Sequence, residues 1–312
     1  MCKHVVTASI KAARGEITIT AYGVAFMFVI VGYILIIGSV LGGFAFAGGH
    51  LGALVQPSEL IIIGGAAAGA FLVSGGGAPM KATIAAIPNL FKGDTYNKAL
   101  YMELFALLYE ILGKVRKEGL MSIEGDVESP HESPTFSKYP TVSHDHHILE
   151  FLCDYLRMMV GGNLNPFELE NLMDVEIEAH HHDAGVPAGA LSKLADALPA
   201  FGIVAAVMGV VHTMESVGMP PGELGKLIAA ALVGTFLGIL ISYGFVAPLA
   251  QRLEYQADDM TRVLQTMKVT LLASLNGYAP QVSIEFGRKA MSSSARPTFI
   301  ELEEYVKNAK SK

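Results

Sequence analysis

The chain has 312 residues, 52% of them hydrophobic and only 16% charged, with a formal net charge of -7. A soluble domain carries about 25% charged residues, and the deficit here lies in four stretches without Asp, Glu, Lys or Arg: residues 17–58, 60–80, 197–214 and 227–251. These stretches exclude a wholly soluble protein and argue for membrane spans. The polar remainder excludes a bare channel bundle, and the negative charge argues against nucleic acid as a partner.

Residues 1–20 read as a cytoplasmic N-terminal extension carrying Lys3, Lys11 and Arg14. The first apolar stretch exceeds the ~20 residues that one span needs. It predicts a first transmembrane helix over 21–44, then a turn near Gly48-Gly49-His50 and a loop to Pro57. The basic start and the Ala45-Phe46-Ala47 triplet mimic a secretory signal, but the apolar segment is much longer than a signal core of about 7–15 residues. Met27 offers an alternative start, because residues 1–26 add little that this helix needs. The second transmembrane helix is predicted over 58–79, with Gly75-Gly76-Gly77 marking the break at its cytoplasmic end. That triplet runs into Ala78-Pro79 and lacks the Gly-Lys-Ser/Thr of a phosphate loop.

Residues 80–198 form a cytoplasmic helical domain. Its first predicted helix covers 94–118, with Asp94 or Thr95 as cap and Gly119 as terminator. Leu100, Leu104, Leu107, Leu108, Ile111 and Val115 fall on one face at helical spacing. Glu110 and Lys114 are spaced for a favourable pair one turn apart. Lys114, Arg116 and Lys117 are followed by Glu118, Glu124, Asp126 and Glu128. This basic patch beside an acidic one reads either as a docking surface for complementary charge or as a solvated helix end. Pro130, Pro134 and Pro140 mark 129–143 as a loop. A helix over 145–160 ends at Gly161-Gly162. Asn165-Pro166-Phe167-Glu168 then opens the next helix with a capping box, and Glu168, Glu170, Asp174, Glu176 and Glu178 give that helix an acidic face.

Transmembrane helices 3 and 4 are predicted over 199–217 and 226–249, followed by a cytoplasmic tail over 250–312. Pro199 is expected to open helix 3 and Pro248 to close helix 4, both on the cytoplasmic side, which makes them a candidate hinge. Of the 22 Lys and Arg, three precede helix 1, none separates helices 1 and 2, nine lie between helices 2 and 3, only Lys226 falls near the helix 3–4 turn, and nine follow helix 4. By the positive-inside rule both termini and the middle domain are cytoplasmic. That arrangement requires an even number of spans, as found.

Each span carries small residues four apart: Gly38/Gly42, Gly65/Gly69, Ala205/Gly209 and Gly234/Gly238. Such residues let helix backbones approach closely in lipid. No ionisable residue lies near the middle of a span, where proton carriers usually hold one. The polar groups there are Tyr33, Ser39, Thr235, Ser242 and Tyr243; a threonine in such a place commonly bonds back to a carbonyl one turn earlier. If the chain moves ions, a partner must supply the ionisable group; otherwise it is an anchor or scaffold. Cys2 and Cys153 form no disulfide or zinc pattern, and Cys153 sits in an apolar row as core filler. The His144/His146/His147 and His180–His182 groups predict no metal site, because consecutive helical residues point in different directions. No nucleophile motif or dinucleotide fingerprint occurs, so neither an enzyme nor a cofactor is predicted.

Long strings then carry a resemblance. They include Gln56-Pro57-Ser58-Glu59-Leu60, Tyr101-Met102-Glu103-Leu104, the run from Leu198 to His212, Val233-Gly234-Thr235-Phe236-Leu237-Gly238, Leu275-Asn276-Gly277-Tyr278-Ala279-Pro280 and Glu285-Phe286-Gly287-Arg288-Lys289. Over residues 27–306 the chain resembles the MotA family of flagellar motor stator subunits, part of the MotA/TolQ/ExbB proton channel family. The resemblance implies an all-α inner-membrane protein with four spans and a large cytoplasmic helical domain. It implies a homo-oligomeric ring, a pentamer, around two copies of MotB, which brings the ion-binding aspartate. Ion flow would turn the ring against the rotor protein FliG. By motif, Arg116 and Glu124 match the rotor-facing charges, Pro199 and Pro248 the prolines of conformational coupling, Thr235 the threonine on the ion path, and Glu176 an acidic cytoplasmic position. Sodium-type relatives carry a hydroxyl at the position of Ala206, and alanine offers no side-chain oxygen to a sodium ion. The resemblance therefore implies protons. The competing readings are an energy-transducing subunit resembling ExbB or TolQ, whose members usually have three spans, and a scaffold without transport.

Overall fold

A computed structural model describes residues 27–91, 95–162, 165–216 and 218–310. The N-terminal extension, the first six residues of the predicted helix 1 and the cap candidate Asp94 lie outside these residues. Among the described residues the chain is helical and has no strand. Four helical stretches are long and apolar enough to cross a membrane: Met27–Phe46, Leu51–Gly75, Pro166–Glu215 and Pro221–Leu275. The chain is an all-α membrane protein with a large helical domain outside its spans. It divides into two compact units, residues 1–94 with 184–256, and residues 95–183 with 257–312.

In the first unit, α1 (Met27–Phe46) ends before Gly48, whose φ of +86° only glycine adopts without strain. A 3-10 turn (Leu51–Leu54) leads to α2 (Pro57–Gly75), which places Pro57 at the favoured first position. α2 is shorter than the predicted 58–79, because Gly76 takes φ +62° and a new helix, α3 (Gly77–Ala86), starts beyond it. The glycine break therefore falls inside the predicted span.

The two largest corrections concern prolines. The acidic helix and transmembrane helix 3 are one element, α9 (Pro166–Glu215), with Pro187 and Pro199 in its interior. Pro199 opens nothing. A helical proline leaves the carbonyl four residues back without its amide donor, here that of Ala195. The buried Ser242 Oγ donates to that carbonyl at 2.6 Å, so the helix continues without an orphaned acceptor. Likewise α10 (Pro221–Ile241) does not stop at Pro248. It passes through a π turn (Ser242–Val246), in which Ala247 N–H reaches back to Ser242 O, and continues as α11 (Ala247–Leu275) with Pro248 in its first turn. A local widening to π geometry is a usual way for a helix to absorb such a position. The Tyr33 hydroxyl of α1 donates to Phe245 O in the same turn at 3.2 Å, and the Tyr33 and Phe245 rings stack.

The second unit is built on α4 (Lys98–Glu118), capped by Asn97, whose side chain accepts from Ala99 N and Leu100 N. The cap is therefore not Thr95. Leu100, Leu104, Leu107, Leu108 and Ile111 are buried and Val115 packs at the margin, as the periodicity predicts. A 3-10 turn (Leu120–Ile123) and α5 (Glu124–Glu128) follow Gly119. The proline-rich 129–143 segment is not a bare loop. Pro134 and Pro140 each start one helical turn, α6 (Pro134–Ser137) and α7 (Pro140–Ser143). α8 (His146–Gly161) places Phe151, Leu152, Cys153, Tyr155 and Leu156 in the core. The capping box at the start of α9 forms in both directions, Glu168 N to Asn165 Oδ1 at 2.9 Å and Asn165 N to Glu168 Oε2 at 3.2 Å. Val263, Met267 and Leu271 of α11, Ile284 of α12 (Pro280–Ala290) and Leu302 of α13 (Phe299–Lys310) close this core.

Candidate functional site: the α9–α10 seam and the α4–α5 charges

Small residues fix the seam. A Cβ built on Gly238 would lie 2.8 Å from Leu198 O and 2.9 Å from Gly202 Cα; one on Gly209 would lie 2.6 Å from Ala231 Cβ. One on Gly234 would lie 3.1 Å from Ala205 Cβ and 3.2 Å from Ala206 N. The predicted pairs Ala205/Gly209 and Gly234/Gly238 thus face each other with backbones in contact. Cβ atoms built on Gly38, Gly42, Gly65 and Gly69 would meet nothing within 4 Å among the described residues.

The seam gathers three predicted site residues. Pro199 and Ala206 lie on its α9 side. Thr235 lies on its α10 side, its Cα 3.4 Å from where a Gly202 Cβ would sit. Thr235 is half-buried, and among the described residues its hydroxyl makes no hydrogen bond. The expected bond back to its own helix is absent, whereas Thr213 and Thr83 do make such bonds. Pro248 stands apart and exposed, beyond the π turn.

Sequence reasoning missed Glu59. It lies in the first turn of α2, is only 6% exposed, and among the described residues its Oε2 has no hydrogen-bond partner. That oxygen sits 2.6 Å from where a Gly234 Cβ would be. The available signal was position: Glu59 is the single charge between two long charge-free stretches.

In the second unit, Arg116 lies in the last turn of α4 and Glu124 opens α5, joined through Gly119 at φ +86°. Both side chains are exposed, and among the described residues neither forms an ion pair. Their neighbours are tied down. Lys114 Nζ is 2.8 Å from Asp126 Oδ2, and Ser133 Oγ donates to Asp126 Oδ1 at 2.6 Å. Burial pushes the Asp126 carboxyl up, but these two bonds and the Lys114 charge outweigh it and hold it below the usual carboxylate range. The predicted Glu110–Lys114 pair does not form; Glu110 instead binds Lys138 and the Tyr139 hydroxyl. A cavity of about 430 Å³ opens beside Arg116, lined also by Lys117, Glu118 and Asp126.

Glu176 accepts a 2.5 Å hydrogen bond from the buried Tyr155 hydroxyl, so it fastens α9 to α8 within this unit. Cys153 is buried, and burial pushes its thiol up to about 11. His181 Nδ1 lies 3.1 Å from Thr261 Oγ1, while His182 is exposed; among the described residues no group of His, Cys, Asp and Glu is arranged to hold a metal.

Residues 30–119 match the motility protein A N-terminal family model, and residues 143–266 match the MotA/TolQ/ExbB proton channel family model. Motility protein A of Salmonella typhimurium is 54% identical over 90% of this chain and 95% of its own length. That of Escherichia coli is 52% identical over 91% and 96%. The chain belongs to the motility protein A family. Two solved structures share the fold. The structure of C. jejuni MotAB matches with a TM-score of 0.72 at 20% identity, covering 87% of this chain and 98% of that one. The flagellar MotAB stator complex of Bacillus subtilis matches with a TM-score of 0.63 at 25% identity, covering 82% and 92%. Motility protein A is a flagellar stator subunit of a proton channel family, not a member of a known enzyme class, and this chain is a multi-pass stator subunit of that kind.

Proposed function

We propose that this chain joins a MotB-type partner to form a proton-conducting stator unit that converts ion flow into torque on the rotor protein FliG. The observation that carries the proton reading is the α9–α10 seam. It packs Ala206, which has no side-chain oxygen, against Gly234, the neighbour in sequence of Thr235, whose hydroxyl makes no hydrogen bond among the described residues. Neither helix has Asp, Glu, Lys or Arg over residues 197–214 and 227–241. One hydroxyl is a poor cage for a sodium ion, which needs several oxygens once it sheds water. A proton needs only a carboxyl and a water chain. The partner supplies that carboxyl as an aspartate; the related solved complexes are MotAB assemblies, which supports a MotB-type partner.

Several copies of this chain form a ring, a pentamer around two partner copies. The apolar side chains exposed along α1 and α2, with the unoccupied Gly38/Gly42 and Gly65/Gly69 faces, support close neighbours. The Lys and Arg distribution supports an inner-membrane placement with both termini and residues 80–198 in the cytoplasm. Arg116 and Glu124, exposed and unpaired, dock on complementary rotor charges. Glu176, bonded to Tyr155, positions α9 rather than touching ions. Pro199 and Pro248 are the coupling points, because each leaves a gap in the helix hydrogen-bond ladder.

The test is swimming speed of cells carrying this chain and its partner. Speed is expected to ignore external sodium at fixed pH and to collapse with an uncoupler; speed that tracks sodium overturns the proton assignment. Arg116→Glu and Glu124→Lys are each expected to impair motility at normal membrane levels and normal ring size. A collapse of those levels makes the two residues structural.

A further inference from the structure

Glu59 is a buried acid for which the function so far has no use. It stands at the start of α2, 6% exposed on this chain alone, and among the described residues Oε2 has no hydrogen-bond partner. A Gly234 Cβ would lie 2.6 Å from that oxygen, and the same point is 3.1 Å from Ala205 Cβ and 3.2 Å from Ala206 N. Glycine at 234 leaves the space the carboxyl uses.

Among the described residues no counter-ion pairs with Glu59. The rest of α2 has no charged residue, nor does α9 over residues 197–214 or α10 over residues 227–241. The nearest charges on α10 are Glu223 and Lys226, paired with each other at 2.9 Å and about 12 Å or more along the helix from Gly234. On α9 they are His212 and Glu215, at 4.0 Å from one another, and Asp196, nine residues before Ala205. The 3-10 turn before α2 carries none. A buried carboxylate oxygen without a donor is costly, and a proton on Glu59 removes that cost. The slot adjoins Ala206 and Thr235, the two positions the proton reading places on the ion path.

We propose that Glu59 is a proton-binding station contributed by this chain itself, which takes protons arriving at the α2 N-terminal face and passes them to the seam where the partner carboxyl works. The proposal rests on the proton-channel reading above. Chemically the step is a proton exchange: the Glu59 carboxylate accepts a proton from water on one side, and the acid releases it to water or to the partner carboxylate on the other.

The experiment reconstitutes this chain with its MotB-type partner in liposomes. A potassium diffusion potential drives proton flux, read by a pH-sensitive dye inside. Glu59→Gln keeps the shape and removes the titrating group; it is expected to lower flux about tenfold or more, while Glu59→Asp keeps flux within a few-fold of wild type. The ring size of each variant is measured alongside. A Glu59→Gln complex that conducts like wild type overturns the proposal and leaves the channel reading standing. A wild-type complex that carries no protons overturns both. If Glu59→Gln does not assemble, the wild-type complex is treated with dicyclohexylcarbodiimide, which adds to protonated carboxyls in apolar surroundings. An adduct at Glu59, formed faster in mildly acid than in mildly alkaline buffer, supports the station; no adduct at Glu59 overturns it.

Discussion

The hydrogen bond from Ser242 to the Ala195 carbonyl makes a prediction with a built-in control. Ser242→Ala removes the donor and leaves a buried acceptor that Pro199 has already deprived of its amide. A buried orphan acceptor costs about 1–3 kcal/mol in water-soluble proteins. Side-chain bonds between membrane helices average about 0.6 kcal/mol, because the unfolded state in a membrane finds other partners. The 2.6 Å bond is short and fully buried, so about 1–2 kcal/mol is expected, between those two limits. Pro199→Ala restores the amide donor to the same carbonyl, which makes Ser242 redundant. In that background Ser242→Ala should cost no more than about 0.5 kcal/mol, giving a coupling of about 1 kcal/mol in the cycle. The assay is unfolding in mixed micelles of rising denaturing detergent, followed by circular dichroism on all four proteins. Equal costs of Ser242→Ala in both backgrounds would refute the argument that the serine replaces the bond lost at Pro199.

Gly238→Ala should separate α9 from α10 by about 0.6 Å at Leu198 O, since its Cβ would start 2.8 Å away against backbone that has no rotamer to turn. Overpacking of this kind costs about 1–3 kcal/mol; Gly225→Ala, on an exposed face of the same helix with nothing within 4 Å, should be neutral or gain up to about 1 kcal/mol by the same detergent titration. Asp126 has its carboxyl held below the usual range. Its stabilisation is therefore present above the unfolded value near ~3.9 and fades as pH falls through the lower folded value; Asp126→Asn should flatten acid denaturation in that window, read by circular dichroism of the whole chain. Arg288 is 8% exposed and bonds Glu285 and Pro297 O. Arg288→Ala should cost about 3 kcal/mol, the low end for a broken buried pair, because Glu285 keeps partial access to water. The Cys153 thiol, buried and pushed up to about 11, should resist maleimide in neutral buffer on a Cys2→Ser background until detergent unfolds the chain.

Features encoded within one turn of chain could be read in advance. The capping box at Asn165 and Glu168, the stop at Gly119, the buried face of Leu100 to Ile111 and the four charge-free stretches all follow from local chemistry. Features that depend on distant residues could not. Pro199 reads as a helix start because the donor that rescues Ala195 comes from Ser242, 47 residues away. Pro248 reads as a helix end because a π turn has no sequence signature of its own. Lys114 reads as the partner of Glu110, yet it crosses a turn to Asp126, whose other oxygen is already held by Ser133. The cap of α4 falls on Asn97 because Asp94, Thr95 and Asn97 all carry capping chemistry within four residues and local rules do not rank them. Of the site, Arg116, Glu124, Ala206 and Thr235 came from resemblance, and the structure adds where each stands. Glu59 could not be placed in advance because its burial depends on a distant element: the fold lays the start of α2 against Gly234, thirteen residues into α10.

The seam and the turn beyond it differ in stiffness for a stated reason. Between Leu198 and Gly209 the two helices touch through backbone atoms, and a displacement there has no side-chain rotamer to absorb it. At Ser242–Val246 the ladder changes from α to π spacing, one carbonyl of α9 is held by a hydroxyl, and the Phe245 carbonyl is shared with the Tyr33 hydroxyl. Hydroxyl bonds can be exchanged one at a time, whereas the α ladder yields only as a unit. A push applied at the seam by a change of charge at Glu59 or at the partner carboxyl would therefore leave the seam intact and be taken up at the π turn. α11 begins there, and Pro248 prevents the ladder from closing over the joint.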